Sequence, residues 1–251
     1  MKKFDPEKEV KNITKFIQNY YKEHNLKGVV LGISGGKDSA VVAALFVKAL
    51  GKENVLGVTL PCHSIKTDKS DAKLVADKYG FELLNIDLTN VYDEFKNQIY
   101  KLNDFSDQEL KNSDINIKPR LRMASVYYLA ALYSEIKGGT YIVAGTGNKC
   151  ELYVGYFTKG GDSTYDIGVI NDYTVDEVIQ IGEYLEVPEQ VIHKAPSDGL
   201  SGLTDEDKLG VKYKDIASYI NNEEVDLKVK NKIEKLHRNS LHKFNIPNYK
   251  R

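Results

Sequence analysis

The stretch SGGKDS at residues 34–39 has the composition of a loop that binds phosphate. An apolar run at residues 28–33 precedes it, and apolar residues recur at helical intervals from residue 39 onward, which predicts a strand, a tight loop and a helix. Paired glycines allow amide N–H groups to turn toward an anion without interference from a side chain. The helix adds unpaired N-terminal amides and the positive end of its dipole, so the stretch predicts a cradle for phosphate or pyrophosphate.

Two familiar phosphate-binding motifs do not match this loop. A Walker loop requires a lysine followed by serine or threonine, whereas Lys37 is followed by Asp38, and the spacing of a GxGxxG dinucleotide-binding loop is absent. The alternative to a phosphate cradle is a plain serine and glycine turn that caps a helix. The order of strand, loop and helix favours the cradle.

The composition indicates one folded domain that needs no disulfides. Apolar residues make up 41% of the 251 residues, and the formal net charge of −1 lacks the positive field that drives general nucleic-acid binding. The two cysteines, Cys62 and Cys150, are far apart and fit neither a zinc site nor a disulfide framework. No segment resembles a signal peptide or approaches the ~20 apolar residues of a membrane span. We therefore expect a cytoplasmic protein with neither a membrane nor a nucleic-acid partner.

Strands and helices alternate along much of the chain, which is typical of a parallel sheet covered by helices on both faces. Ligands of such sheets bind beyond the carboxyl ends of the strands, where SGGKDS lies. The predicted strands are residues 28–33, 54–60, 82–86 and 140–145. The predicted helices are residues 6–24, 39–50, 69–79, 88–100, 119–137, 176–185 and 222–243, with shorter turns at 188–193 and after Thr204.

Two segments lack the pattern of regular structure. Residues 101–116 are polar and are expected to form a surface excursion with little core. Residues 155–170 contain too many glycines and charges for a core element, so their order must come from something that they bind or cover. Residues 101–116 and 197–207 are candidate lids over a site.

Five stretches together resemble the NAD synthetases, a family of the N-type ATP pyrophosphatase superfamily. They are SGGKDS, NIKPRLRM at 116–123, GTGNKCELYVGYFTKGGDSTYD at 145–166, PSDGLSGLTDEDKLG at 196–210 and SLHK at 240–243. The resemblance implies an α/β fold of the adenine nucleotide α-hydrolase-like (Rossmann-like) type, with residues 1–251 as a single domain. It also implies a reaction in which ATP adenylates the nicotinate carboxylate of deamido-NAD with release of pyrophosphate, and ammonia then displaces AMP to give NAD.

The resemblance assigns residues to both substrates. Phe157 would lie either against the pyridine ring or in a plain packing role. Deamido-NAD is expected at Arg120, Lys159, Asp166, His242 and Lys243. ATP, the co-substrate, is expected at Gly32, Ile33, Ser34, Gly35, Gly36, Lys37, Asp38, Ser39, Thr146 and Ser197.

An acidic residue at a phosphate cradle suggests a bound cation. Attack of a carboxylate on the α-phosphorus brings two anions together, so the site must neutralise charge. Asp38 makes sense there as a ligand of Mg²⁺, and Glu151 can supply a second oxygen; in the family the matching acids bind magnesium. The alternatives are that Asp38 caps the helix and that Glu151 is a solvated helix residue. Asp38 and Lys37 are the predicted catalytic residues, and no covalent nucleophile is required because the carboxylate of the substrate attacks.

Three positions depart from the family pattern. Many members carry cations where this chain has Thr59, Val175 and Phe244. The lysines that could substitute for them are Lys37, Lys149 and Lys194.

The resemblance also bears on the nitrogen donor and on partners. The first strand and its loop lie within the first forty residues, which leaves no room for the amidase domain of glutamine-dependent relatives, so we expect direct use of ammonia. The family works as a homodimer, and the apolar surface of the predicted helix 119–137 suits burial against the sheet and a second subunit. The alternative functions are a tRNA-modifying ATP pyrophosphatase and a nucleotide-binding sensor without turnover.

Overall fold

The computed structural model describes residues 4–63, 67–194, 204–244 and 247–249. Parallel strands form a five-stranded sheet in the order β3-β2-β1-β4-β5. β1 lies at its centre, with Val29 opposite Val55 of β2 and Ile142 of β4. The strands are β1 (Leu26–Gly32), β2 (Val55–Thr59), β3 (Glu82–Asn85), β4 (Thr140–Gly145) and β5 (Ile167–Gly168).

Helices cover both faces of this sheet, and short 3-10 turns lie at Lys52–Asn54 and Asp114–Asn116. In chain order the helices are α1 (Pro6–Glu23), α2 (Lys37–Leu50), α3 (Thr67–Tyr79), α4 (Thr89–Tyr100), α5 (Asp107–Ser113), α6 (Ile117–Lys137), α7 (Lys149–Val154), α8 (Val175–Tyr184), α9 (Glu189–Ile192), α10 (Asp205–Leu209), α11 (Tyr213–Ile220) and α12 (Leu227–Phe244).

The alternation of side chains along β1 divides the core between the two faces. Val29 and Leu31 belong to a cluster with α1, α2 and α8, whereas Val30 belongs to a cluster with the buried sides of α4 and α6. An all-parallel sheet requires this cover on both faces, because its strands are apolar on both sides. The predicted α/β fold is confirmed.

A third apolar cluster lies at the C-terminal end of the chain. Cys150 and Val154 of α7 pack there with Ile216 of α11 and Ile233 of α12. The cluster fixes α7 against α11 and α12, directly after the loop that follows β4. The fold thereby positions that loop from two sides.

Residues 101–116 lie at the surface with no buried side chain among the described ones, as predicted, but part of this segment forms an unpredicted helix. Ser106 and Glu109 form a capping box that starts α5, and Lys96 and Asp114 form an ion pair with a separation of 2.6 Å. A polar composition concealed a short helix whose stability comes from its cap and from this ion pair.

Other element boundaries differ from the prediction for local reasons. The last helix begins at Leu227 rather than at residue 222, because Asn222 adopts a left-handed conformation with φ of 60° where α11 ends. The helices α2 and α6 each begin two residues earlier than predicted, at Lys37 and Ile117. The short elements β5, α7 and α11 were not predicted.

Hydrogen bonds to neighbouring helices order residues 155–166, and whether the segment 155–170 binds or covers a ligand stays a prediction. The Lys243 ammonium donates to the carbonyl oxygens of Gly155 and Phe157, both over 2.7 Å. Thr158 Oγ1 donates to Asn116 Oδ1 over 2.9 Å. The loop therefore connects α12 with the start of α6.

No helix within the described ranges has the length and apolar character needed to cross a membrane.

We predict that the close approach of α7 to α12 depends on Gly155. This residue has φ of 70°, and a Cβ atom built on it would lie 2.0 Å from Ser240 Cβ. Any side chain at this φ strains the backbone and lowers the free energy of unfolding. Gly155→Ala should lower it by about a further 1–3 kcal/mol, because the added methyl group forces the two helices apart. Urea unfolding followed by circular dichroism measures this loss.

Gly160→Ala is the matched control. Gly160 has almost the same φ, 71°, but an added Cβ would meet nothing within 4 Å. Equal losses in the two variants would show that only the left-handed conformation matters and that the contact with Ser240 does not.

Candidate functional site

The loops after β1 and β4 lie side by side at the carboxyl edge of the sheet. The chain continues from β1 to β2 on one side, while β4 pairs with β1 on the other, so the loops flank the point where the strand order reverses. Asn148 Nδ2 on the second loop donates to Asp38 Oδ1 on the first over 3.2 Å. Residues 32–39 and Thr146 are thus at one edge, whereas Ser197 lies outside the described residues.

The SGGKDS loop has the conformation of an anion cradle. Gly35 has φ of 78°, which glycine adopts without strain, and the Ser39 hydroxyl donates to the Gly36 carbonyl over 3.0 Å. Gly36 occupies the N-cap of α2 without a side chain to cover the first amides. A Cβ atom on Gly32 would meet nothing within 4 Å, so the space beyond the end of β1 is open. A phosphate group has room to approach these amides.

Lys37 is a buried cation at the start of α2. It is 6% exposed, and the described residues give its ammonium group neither a hydrogen bond nor an ion pair. A buried ammonium group is costly unless an anion accompanies it. The charge of Lys37 offsets part of the rise in the pKa of Asp38 and of Glu151, and a phosphate in the cradle would lie beside the same ammonium group.

Asn148 holds the two predicted metal ligands together. It is 1% exposed and caps α7. Its backbone N–H donates to Glu151 Oε2 over 3.0 Å, and its side-chain Oδ1 accepts from the backbone N–H of Glu151 over 3.1 Å. The same side chain donates to Asp38, as described above. Burial raises the pKa of Asp38, and burial together with the charge of Asp38 raises the pKa of Glu151 well above its usual range.

Two carboxylates that repel each other suit a divalent cation. Mg²⁺ prefers oxygen ligands, usually takes one or two carboxylates from a protein and completes its shell with phosphates and water. Among the described residues no group of three or more His, Cys, Asp or Glu side chains is arranged to hold a metal, so Asp38 and Glu151 would leave most of the shell to substrate and water. The donor set therefore fits Mg²⁺ bound together with ATP.

A second group of polar side chains surrounds the loop after α7. Lys159 Nζ donates to the His242 carbonyl over 3.0 Å, and the Arg120 guanidinium donates to the Lys159 carbonyl over 3.3 Å. Lys243 lies 5.0 Å from the centre of the Phe157 ring, and burial lowers its pKa. The structure thus brings Arg120, Lys159, His242 and Lys243 together at the junction of α6 and α12.

Asp166, the fifth residue expected at deamido-NAD, contacts the protein itself. Its carboxylate accepts from the Tyr127 hydroxyl over 3.0 Å and from Val143 N–H over 2.8 Å. The side chain joins α6 to β4, and its contact with a substrate stays a prediction.

The positions that depart from the family pattern have local roles. Thr59 Oγ1 donates to Asn85 Oδ1 over 2.9 Å at the ends of β2 and β3, and Val175 is buried in the cluster of α7 and α11. The rings of Phe244 and Phe157 meet edge to face with their centres 5.1 Å apart. Each position therefore contributes to packing or to hydrogen bonding within the fold.

Two of the three lysines proposed as substitutes are already paired. Lys149 lies 3.1 Å from Asp172, and Lys194 lies 2.7 Å from Asp71. Lys37 is the member of this set that forms no ion pair with a described residue.

Sequence reasoning did not identify Asn148 and Asp205. Asn148 and Glu151 have the Asn-x-x-Glu spacing of a capping box, which was a readable signal. Asp205 lies in the first turn of α10; it is buried, accepts from the Tyr156 hydroxyl over 3.0 Å, and its charge contributes to the raised pKa of Asp38 and Glu151.

Both cysteines pack inside the fold. They are buried and form no disulfide, and burial raises the pKa of both thiols, to about 11 for Cys150. Neither thiol is ionised near neutral pH, so neither is an activated nucleophile.

A family model and the curated relatives indicate the same family. The family model described as NAD synthase matches residues 9–247. The NH3-dependent NAD⁺ synthetase of Carboxydothermus hydrogenoformans is 38% identical over 242 residues, which cover 96% of this chain and 96% of that protein.

Solved structures with the same fold include two synthetases. NMN synthetase from Francisella tularensis has a TM-score of 0.87 at 31% identity and covers 98% of this chain and 99% of the other. NH3-dependent NAD synthetase from Campylobacter jejuni has a TM-score of 0.80 at 28% identity and covers 99% of this chain and 100% of the other.

We predict that Glu151→Gln stabilises the folded protein. A carboxyl group with a raised pKa holds its proton more tightly in the folded state. The folded state therefore loses stability as the pH rises above about 4.3, the pKa of the group in the unfolded chain. Glutamine removes the charge and still serves in a capping box. Tm should rise by about 2 °C or more at pH 7.5, and this gain should shrink toward pH 5. Thermal unfolding between pH 5 and 8 measures it.

Glu109→Gln provides the control. Glu109 occupies the same position in the capping box of α5, but hydrogen bonds from Ser106 lower its pKa. Glu109→Gln should therefore not raise Tm at pH 7.5. A gain of the same size in both variants would contradict the repulsion between Glu151 and Asp38.

Proposed function

This chain belongs to the NAD synthase family and is a ligase, and we propose that it uses ATP and ammonia to convert the nicotinate carboxylate of deamido-NAD into the amide of NAD. One observation supports the proposal above all: a buried lysine lies beside two carboxylates that repel each other, at the switch point of the sheet. ATP phosphates accompanied by a cation would complement both charges.

The cradle residues are proposed to bind and orient ATP. The amides at the start of α2 and the Lys37 ammonium would receive the phosphates, since both are positive and lie beside the open space at the end of β1. Thr146 lies on the adjacent loop and would contribute a hydroxyl. Fixing the phosphates in this way would orient the α-phosphorus toward the attacking carboxylate.

Asp38 and Glu151 are proposed to hold Mg²⁺ with the phosphates. When bound, the cation neutralises phosphate charge and assists departure of pyrophosphate. Asn148 would keep both carboxylates aimed at the same point, because its side chain and backbone bond to each of them. Lys37 would add a fixed positive charge beside them.

The residues at the junction of α6 and α12 are proposed to bind the acceptor. Lys243 already donates to two carbonyl oxygens, and its ammonium group has a third N–H for a substrate anion. Arg120 and Lys159 are exposed and would contact the phosphates or the carboxylate of deamido-NAD. Phe157 would offer one face to the pyridine ring.

The chemistry then needs no covalent bond to the protein. An oxygen of the nicotinate carboxylate attacks the α-phosphorus, and the bond to pyrophosphate breaks. The nitrogen of ammonia attacks the activated carbonyl carbon, the bond to AMP breaks, and a proton is released. The protein contributes orientation, charge and exclusion of water.

One comparison favours a second acceptor. The structural neighbour with a TM-score of 0.87 is called an NMN synthetase, which points to a nicotinate mononucleotide as acceptor. The chemistry at the carboxylate is the same, and the difference lies in whether an adenylate half must be bound.

An endpoint assay distinguishes these possibilities. The purified protein is given ATP, Mg²⁺, ammonium and either deamido-NAD or nicotinate mononucleotide, and NAD or NMN, AMP and pyrophosphate are all measured. We expect NAD and pyrophosphate in equal amounts with deamido-NAD. Faster turnover of the mononucleotide would establish the second acceptor, and no pyrophosphate with either would reject the activity.

We predict that Lys37→Ala lowers kcat/KM for ATP by at least about 100-fold, because removal of one group that stabilises developing charge typically costs this much. Steady-state pyrophosphate release measures the effect. Lys149→Ala is the control: this lysine pairs with Asp172, and its loss should change the rate less than about threefold. Wild-type behaviour of Lys37→Ala would remove Lys37 from the site.

We also propose that the protein is a homodimer. Tyr128, Leu132 and Ile136 are 71%, 41% and 62% exposed and lie four residues apart along α6, so they form one stripe. The neighbouring α4 exposes Val91 and Phe95. An exposed apolar surface of this extent is typical of an interface between subunits.

Leu132→Glu is therefore expected to convert the dimer to a monomer, because it places a charge in the centre of the stripe. Sedimentation velocity at assay concentration measures the change. Leu74→Glu on α3 is the control, since Leu74 is similarly exposed, at 36%, but lies on another helix. A wild-type protein that sediments as a monomer would contradict the proposal.

A further inference from the structure

The helix α12 carries a concentration of positive charge that the chain as a whole does not have. It contains six lysines and arginines and a single glutamate, in a chain whose formal net charge is −1. That glutamate, Glu234, is half-buried and accepts from the Tyr219 hydroxyl of α11 over 2.9 Å, so its charge is turned toward the fold. The positive charges of α12 are therefore concentrated on its exposed surface.

Three of these lysines lie in one line along the helix, which we call the α12 stripe. Its members are spaced by four, three, four and three residues, which places them on one side of a helix, and all are exposed: Lys228, Lys232, Lys235, Asn239 and His242. The opposite side of α12 is buried at Ile233 and Ser240. The three lysine ammonium groups form no ion pair with a residue in the described part of the chain.

The α12 stripe ends at the proposed acceptor site. The His242 carbonyl accepts from Lys159 Nζ over 3.0 Å, and His242 Nδ1 donates to the Asn239 carbonyl over 2.8 Å. At about 1.5 Å per residue, Lys235 lies about 10 Å from His242 along the helix, and Lys228 about 21 Å. Since charges are screened over about 8 Å at physiological ionic strength and over longer distances at low salt, these lysines can attract an anion at His242 without contact.

We propose that the α12 stripe attracts the anionic acceptor toward His242 and favours the substrate over the product. The inference rests on the proposed function, in which deamido-NAD binds at the junction of α6 and α12. Conversion of the nicotinate carboxylate into an amide removes one negative charge, so the same field attracts NAD less than it attracts deamido-NAD. The lysines would raise the local concentration of the substrate and would retain the product less strongly.

The test is calorimetric titration of deamido-NAD and of NAD into protein that holds Mg²⁺ and α,β-methylene-ATP, which is not cleaved at the α-phosphorus. The wild type is compared with Lys235→Glu and Lys228→Glu. Each titration is made at about 20 mM and at about 300 mM NaCl, where the screening lengths are about 20 Å and about 6 Å. A thermal melt of each variant checks that it is folded.

At the lower salt concentration, Lys235→Glu should weaken the binding of deamido-NAD by about fivefold and that of NAD by about twofold. Lys228→Glu should have a smaller effect on both, because its charge lies about twice as far from His242 along the helix. At the higher salt concentration the wild type and both variants should bind deamido-NAD within about twofold of one another, since screening removes the attraction.

Lys73→Glu is the matched control. It makes the same change in net charge on α3, which packs against β2 and β3 at the other end of the sheet. Lys73 is exposed, and the loss of its surface ion pair with Asp77 costs little stability. This variant should bind both dinucleotides like the wild type at either salt concentration.

The outcomes separate the inference from the proposed function. If the wild type binds deamido-NAD and Lys235→Glu binds it equally well at low salt, the inference is overturned and the acceptor site stands. Weakening by Lys235→Glu that persists at high salt would make Lys235 a direct ligand and would also overturn attraction over a distance.

Two further results would contradict the inference. Equal weakening by Lys73→Glu and Lys235→Glu would assign the effect to net charge, and equal losses for NAD and deamido-NAD would remove the preference for the substrate. If the wild type binds neither dinucleotide, the proposed acceptor site fails and the inference fails with it.

Discussion

The site depends on one constraint: the charges gathered at the end of a parallel sheet form no close ion pairs. Lys37 is buried and forms no ion pair with a described residue; its charge acts on Asp38 and Glu151, which repel each other across Asn148. A fold optimised for stability alone would place apolar residues there or pair these charges within the chain. Retaining them requires that the rest of the molecule supplies the stability.

That stability comes from the two apolar clusters on the faces of the sheet and from the third cluster behind α7. The central strand is buried on both faces, so the loop that follows it begins from a rigid point. The loop after β4 is fixed by a different device, since the capping box of α7 orients Glu151 and the third cluster anchors α7 itself. Both sides of the proposed phosphate site are thereby preorganised, which is the condition for charges to act without reorganisation during a reaction.

The sequence predicted those parts of the site whose geometry is local. A strand followed by SGGKDS and a helix determines a cradle within one stretch of chain, and the alternating elements place it at the carboxyl edge. Asn148 and Asp205 were missed because their significance arises from contacts between distant segments: Asn148 bonds to a residue 110 positions earlier in the chain, and Asp205 to a residue 49 positions earlier. The helix within residues 101–116 was not predicted because it depends on a cap and on one ion pair rather than on an apolar stripe.

The same distinction explains the positions where family cations are missing. Thr59, Val175 and Phe244 are used by the fold, in a hydrogen bond, an apolar cluster and an aromatic pair respectively. Lys149 and Lys194 are held by Asp172 and Asp71, so neither is poised for a phosphate without losing an existing pair. Lys37 and the helix amides are then the positive groups that remain beside the cradle among the described residues. With few side-chain cations there, charge compensation falls chiefly to the backbone and to the cation that Asp38 and Glu151 would hold. A site built in this way would bind nucleotide and metal as one unit, since neither the phosphates nor the carboxylates would be neutralised without the other.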